Sequence, residues 1–70
     1  MADNIIKVSE KDEETTNILH RRFMRRYRRE KGRLLNDRES NLCWWAICGV
    51  VMRQGRDAGI DYVDTVALGE

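Results

Sequence analysis

Apolar residues in the first half of the chain recur every fourth position, at Leu19, Phe23 and Tyr27, with Thr16 and His20 beside them and Met24 extending that side. At about 100° per residue, this spacing gathers them on one stripe of an α-helix. Arg21, Arg22, Arg25, Arg26, Arg28 and Arg29 fall on an arc of roughly 160° on the opposite side, and Ile18 is the one apolar residue among them. The ends of this helix are marked as well. Ser9 followed by Asp12 has the form of a capping box, and Asp12, Glu13 and Glu14 put negative charge in the first turn. Positive charge accumulates at the far end, through Lys31, and Gly32 stands where a left-handed residue closes a helix. These signals predict a helix from about residue 11 to 31.

Asn36 and Glu39 form a second capping box and open a helix predicted from about 37 to 54, with Gln54-Gly55 as its end. Leu34 and Leu35, in the connection, are expected to tuck beneath the hairpin. The middle of the second helix, Leu42 to Met52, is apolar on every side. Trp44, Ile47 and Val51 share one face; Leu42, Trp45 and Gly49 share the other. A helix that is hydrophobic all round must be covered all round, and one neighbouring helix does not suffice. The remaining cover must come from the chain's own ends, a second copy or another protein. A homodimer or larger assembly is therefore expected, with Leu42, Trp44, Trp45, Gly49 and Met52 as the interface to a copy or partner.

The termini are less clearly patterned. Ile5-Ile6-Lys7-Val8 has the β-branched character of a brief strand but reads equally as part of a loose arm over residues 1–8. The segment 60–66 alternates well enough to suggest a strand, with a short third helix as the alternative. Asp64 falls on the apolar side and spoils the alternation. The expected fold class is mainly α: one small domain over residues 1–70, built on a two-helix hairpin with short terminal segments and short strands at 5–8 and 60–66. A chain of 70 residues buries only about 60% of its unfolded surface, so stability is marginal.

Charge changes the picture more than composition does. The net charge is +1, but residues 21–34 carry eight basic side chains against Glu30 alone, while both flanks are acidic. Within the helix, Arg26 can pair with Glu30 at i+4; most of the other arginines have no acid at helical pairing distance. Unpaired guanidinium forks suit phosphate or carboxylate. Arg21, Arg22, Arg25, Arg26, Arg28, Arg29, Lys31 and Arg33 are accordingly the candidate contacts to a nucleic-acid backbone or to an acidic protein surface. The blander alternative is that they pair with the acidic flanks, Asp57, Asp61 and Asp64 among them, or remain solvated.

Other chemistry is sparse. Cys43 and Cys48 lie five residues apart on one helix, roughly 7.5 Å along the axis and 140° around it, too far for a disulfide. Two cysteines and one histidine do not make metal-ligand spacing, so neither a metal nor another cofactor is expected. His20 reads as a locally hydrogen-bonded residue at the edge of the stripe. Nothing resembles a catalytic constellation. Low cysteine usage and a start without a signal peptide point to the cytoplasm. The apolar run of 11 residues is short of the roughly 20 needed to cross a bilayer, so no membrane is expected as a partner. Adjacent Trp44 and Trp45 point about 100° apart, so one core cannot take both by the same face. Gly49 costs its helix roughly 1 kcal/mol against alanine, which suggests close approach of another backbone.

The functional expectation is a small non-enzymatic nucleic-acid-binding module that lays an arginine-rich helix face on phosphates as a dimer. The alternative is a protein-binding adaptor or inhibitor that docks the same face on an acidic surface. A helix-turn-helix reader fits poorly, because its second helix would have to present polar side chains to bases.

Overall fold

The structure is a computed structural model, and it describes residues 7–69. Three helices follow one another: α1 (Glu10–Lys31), α2 (Asp37–Gln54) and α3 (Arg56–Thr65). Each packs against the other two. The described residues contain no strand.

The ends of α1 and α2 lie where their sequences predict, although the Ser9–Asp12 pair forms only the Ser9 half of its capping box. The Ser9 hydroxyl accepts from the Asp12 backbone N–H at 3.1 Å, and Gly32 closes α1 at φ 74° while donating to the Arg28 carbonyl. Asn36 and Glu39 complete a reciprocal capping box: the Asn36 side chain accepts from the Glu39 N–H at 2.8 Å, and the Glu39 carboxylate accepts from the Asn36 N–H at 3.1 Å. Two otherwise orphaned donors are satisfied at once.

The strand expected over 60–66 is instead helix α3, so the two-helix hairpin is a three-helix bundle. Helical spacing resolves the misplaced aspartate. Asp57, Asp61 and Asp64 recur at i, i+4 and i+7 and all lie on the outer side, while Gly59 and Val63 turn inward. The segment 5–8 is not a strand where it is described: Lys7 and Val8 have no regular structure, and Ile5, Ile6 and most of the arm expected over 1–8 lie outside the described residues.

The core joins all three helices. Leu19, Phe23 and Tyr27 of α1 meet Ile47 and Val51 of α2 and Val63 of α3. Thr16 is buried without an unmet polar atom, because its hydroxyl donates to the Asp12 carbonyl at 2.7 Å. Leu35 packs against the core as expected, but Leu34 does not tuck under the hairpin and is exposed. α2 remains only partly covered, with Leu42 61%, Trp45 47% and Met52 40% exposed.

Two glycines control the path of α3. Gly55 ends α2 and begins α3 in a single residue at φ 96°, ψ 177°, a backbone region that is essentially glycine's alone. Gly59 is the point of closest approach: a Cβ there would lie 2.7 Å from Leu19 Cδ1 and 2.9 Å from Val51 Cγ2. The close approach expected at Gly49 occurs instead at Gly59; among the described residues, a Cβ on Gly49 meets nothing within 4 Å.

The three glycines should respond differently to alanine in urea denaturation at low protein concentration. Gly55→Ala loses about 1–3 kcal/mol through backbone strain. Gly59→Ala loses a similar ~1–3 kcal/mol by overpacking against the stiff Val51 side chain. Gly49→Ala is neutral or gains up to about 1 kcal/mol from helix propensity. Equal losses at Gly49 and Gly59 would contradict the packing described.

Candidate functional site

The helical phase of α1 puts Leu19, Phe23 and Tyr27 inside and Arg21, Arg22, Arg25, Arg28 and Arg29 on the surface. The basic residues nevertheless divide into two sets, because α3 lies along one flank of α1.

The first set is engaged within the chain. Arg22 grips Asp64 in a fork: Nε donates to Oδ1 at 2.8 Å and a terminal nitrogen to Oδ2 at 2.7 Å. This pairing draws the Asp64 carboxyl below its ordinary range and raises the Arg22 guanidinium, chiefly through the side-chain hydrogen bonds. Arg26, its side chain only 17% exposed, donates from Nε to Glu30 at 3.2 Å and from a terminal nitrogen to the Val63 carbonyl at 2.9 Å. Lys31 donates to the Gly69 carbonyl. Arg33 pairs with Glu39 at 3.2 Å, and its guanidinium carbon lies 5.2 Å from the centre of the Tyr27 ring, within range of a cation–π contact. Arg33 and the Asn36 N–H together hold the Glu39 carboxyl low.

The second set comprises Arg21, Arg25, Arg28 and Arg29. All four are exposed, and none has a carboxylate within 4 Å among the described residues. Arg21, Arg25 and Arg28 follow one row at i, i+4 and i+7, spanning roughly 10 Å along the axis. Arg25 and Arg29 also border the engaged set. With Arg22, Arg26, Glu30 and Asp64 they line an open groove of about 400 Å³. Each guanidinium has five N–H donors, and Arg22 and Arg26 spend two each on the bonds above. The groove therefore retains donors from guanidinium groups held by partners within the chain and from the exposed Arg25 and Arg29.

The row changes sign towards the other end of α1. Glu10 and Glu14 occupy the same side as Arg21, Arg25 and Arg28, and all five are exposed.

The residues expected at an interface also separate. Leu42, Trp45 and Met52 are exposed, and Gly49 lies among them with no described residue within 4 Å of where its Cβ would be. Trp44 turns the other way, onto α1, where its indole N–H donates to Asn17 Oδ1 at 2.7 Å. Trp44 and Trp45 meet edge to face, 4.9 Å between ring centres. Sequence reasoning had no place for Asn17 or for the Val63 carbonyl, and weighed Asp64 only as one of several acids. The spacing of Asp57, Asp61 and Asp64 was the available signal for an acidic helix face.

His20 joins α1 to α2: Nε2 lies 3.1 Å from the Ser40 carbonyl oxygen and 3.2 Å from its hydroxyl. With its proton on Nε2, the ring donates to the carbonyl. Partial burial lowers its pKa below the ordinary 6.5, against a smaller opposing effect of the Ser40 bond. Cys43 and Cys48 are both free thiols, and burial raises the Cys43 pKa, keeping it protonated at neutral pH. Among the described residues no group of three or more histidine, cysteine, aspartate or glutamate side chains is placed to hold a metal ion, and no helix is long and apolar enough to cross a membrane.

Comparison with protein-family models, curated proteins and solved structures finds no match to the chain.

The histidine sets a pH dependence. Protonated His20 is disfavoured in the folded state, so the unfolded chain binds the extra proton more readily. Stability is then full above the ordinary value of 6.5 and falls as pH drops from there through the lowered folded value. Thermal unfolding between pH 7 and about pH 5 should show this loss, and His20→Gln should flatten that window. An unchanged slope in the variant would remove His20 as its cause.

Proposed function

We propose that this chain is a small non-enzymatic nucleic-acid-binding module that lays the C-terminal half of α1 on the phosphate backbone. One observation supports this most directly: Arg21, Arg25, Arg28 and Arg29 project to solvent without carboxylate partners among the described residues, on a helix whose opposite stripe is buried. Their charge is left for a ligand. Arginine forks match phosphate oxygens, and the groove beside Arg25 and Arg29 adds donors already held in place by Asp64 and the Val63 carbonyl. Contacts of this kind position a protein on the backbone and carry little sequence information.

The sign change along the row favours a second reading. Exposed Glu10 and Glu14 would be repelled by a continuous run of phosphates, but they suit a protein surface of mixed charge. On that reading the chain is an adaptor or inhibitor whose arginines dock on an acidic patch.

A salt series separates the two. Four neutralised phosphates on duplex DNA give a log–log slope of affinity against salt of about −3.6 per protomer, and single-stranded RNA a shallower one, about −2.8. Changing Arg21, Arg25, Arg28 and Arg29 together to glutamine should abolish that binding while leaving the thermal unfolding midpoint within about 2–4 °C, because all four are exposed. Full retention of nucleic-acid binding by this variant, or no binding by the parent at low salt, would overturn the proposal. The latter result would leave the protein-partner reading standing.

A further inference from the structure

The groove on the flank of α1 has its own charge balance. Arg22, Arg25, Arg26 and Arg29 stand at i, i+3, i+4 and i+7, so they are neighbours on one patch of the helix. They line a single hollow of about 400 Å³, with Glu30 and Asp64 as its acids. Asp64 neutralises Arg22, and Glu30 neutralises Arg26. Arg25 and Arg29 have no carboxylate within 4 Å among the described residues. The lining therefore carries an excess of two positive charges. The two neutralised guanidinium groups are held in place and keep N–H donors beyond those their partners take.

This balance distinguishes between kinds of phosphate. A phosphodiester inside a nucleic-acid strand carries one negative charge. A phosphomonoester carries about −1.5 to −2 at pH 7 and presents three strong acceptor oxygens. The excess of two matches the monoester. The rest of α1 agrees. A backbone that continues along the helix past Arg21 meets exposed Glu14 about 10 Å further on, and then Glu10. A strand that ends in the groove is spared that stretch.

We propose that the groove seats the terminal phosphate of a nucleic-acid strand, as a phosphomonoester dianion. Arg25 and Arg29 supply the charge. Arg22 and Arg26, steadied by Asp64 and the Val63 carbonyl, supply donors already in position. The carboxylates of Glu30 and Asp64 repel the anion and keep it on the side of Arg25 and Arg29. Arg21 and Arg28, in the row with Arg25 but outside the groove, take the phosphodiesters that follow. The inference rests on the nucleic-acid reading and adds to it the kind of phosphate recognised.

The test compares short single strands of oligothymidylate at equal phosphate count. One carries a 5′-phosphate; the other is one nucleotide longer and ends in a 5′-hydroxyl. A 3′-phosphorylated strand examines the other end in the same way. The full chain should bind one of the phosphorylated strands about tenfold more tightly than the hydroxyl-ended one, from the added charge-assisted hydrogen bonds. Lowering the pH from about 7.5 to about 5.5 protonates the monoester, whose second pKa is about 6, and should shrink that ratio. The hydroxyl-ended strand corrects for any loss of folded protein at low pH. Arg25→Gln with Arg29→Gln should erase the preference, whereas Arg21→Gln with Arg28→Gln should weaken both strands alike and leave the ratio intact. All four residues are exposed, so helical circular dichroism should match the parent's. If neither phosphorylated end is preferred, or if the Arg25 and Arg29 variant keeps the preference, the terminal seat is overturned and the nucleic-acid reading stands. If no strand binds at low salt, both fall. Inorganic phosphate that displaces the strand at the strand's own concentration would make the ligand a free phosphate and overturn the proposal.

Discussion

The bundle depends on how closely α3 can approach the other two helices, and that distance is set at Gly59. With no side chain there, the backbone of α3 lies directly on Leu19 and Val51. Val63, one turn later, is then carried into the middle of the core, fully buried. The following residue, Asp64, arrives beside Arg22, and the Val63 carbonyl arrives beside Arg26. A larger residue at 59 would hold α3 away by part of an ångström or force its neighbours aside, and both polar contacts would be stretched. A small core of this size has little redundancy: six buried side chains supplied by three helices form its centre, so each approach distance affects the whole.

This docking turns one run of arginines into two kinds of residue. On an isolated α1 they would be near-equivalent surface cations. Against α3, Arg22 and Arg26 become part of the seam, while Arg21, Arg25, Arg28 and Arg29 keep their solvent-facing side. The Arg22–Asp64 pair is exposed, and exposed pairs add little net stability. Its fork geometry instead holds the Arg22 guanidinium in one orientation beside α3. The acidic face of α3 thus offsets the charge on one flank of α1 and leaves the other uncompensated, which is why the proposed ligand face is narrower than the basic sequence band.

Much of this architecture was legible in the chain. The caps at Ser9 and Asn36, the closing Gly32 and the Leu19–Phe23–Tyr27 spacing are local features, readable because capping and periodicity act within a few residues. α3 was harder. Its residues Ile60, Tyr62, Val63 and Thr65 favour a strand by propensity, it contains a glycine, and no side chain caps its start. Packing decides its conformation, and packing is not local. The division of the arginines was illegible for the same reason: Asp64 lies 42 positions beyond Arg22. Gly49 and Gly59 look alike in sequence, and only the fold shows which of them another helix touches.

The single-residue joint at Gly55 has a further consequence. α3 has ten residues, too few to remain helical in water by itself. It is joined to α2 through Gly55 alone, and no side chain caps its start. Its helicity and its attachment to the bundle are therefore one cooperative event: when it leaves, it melts. Local opening of this kind costs less than global unfolding, and here it would free the Arg22 guanidinium from Asp64 and leave Arg26 held only by Glu30 of its own helix. The number of cations that α1 displays is thus coupled to the folding equilibrium of a segment more than thirty residues away.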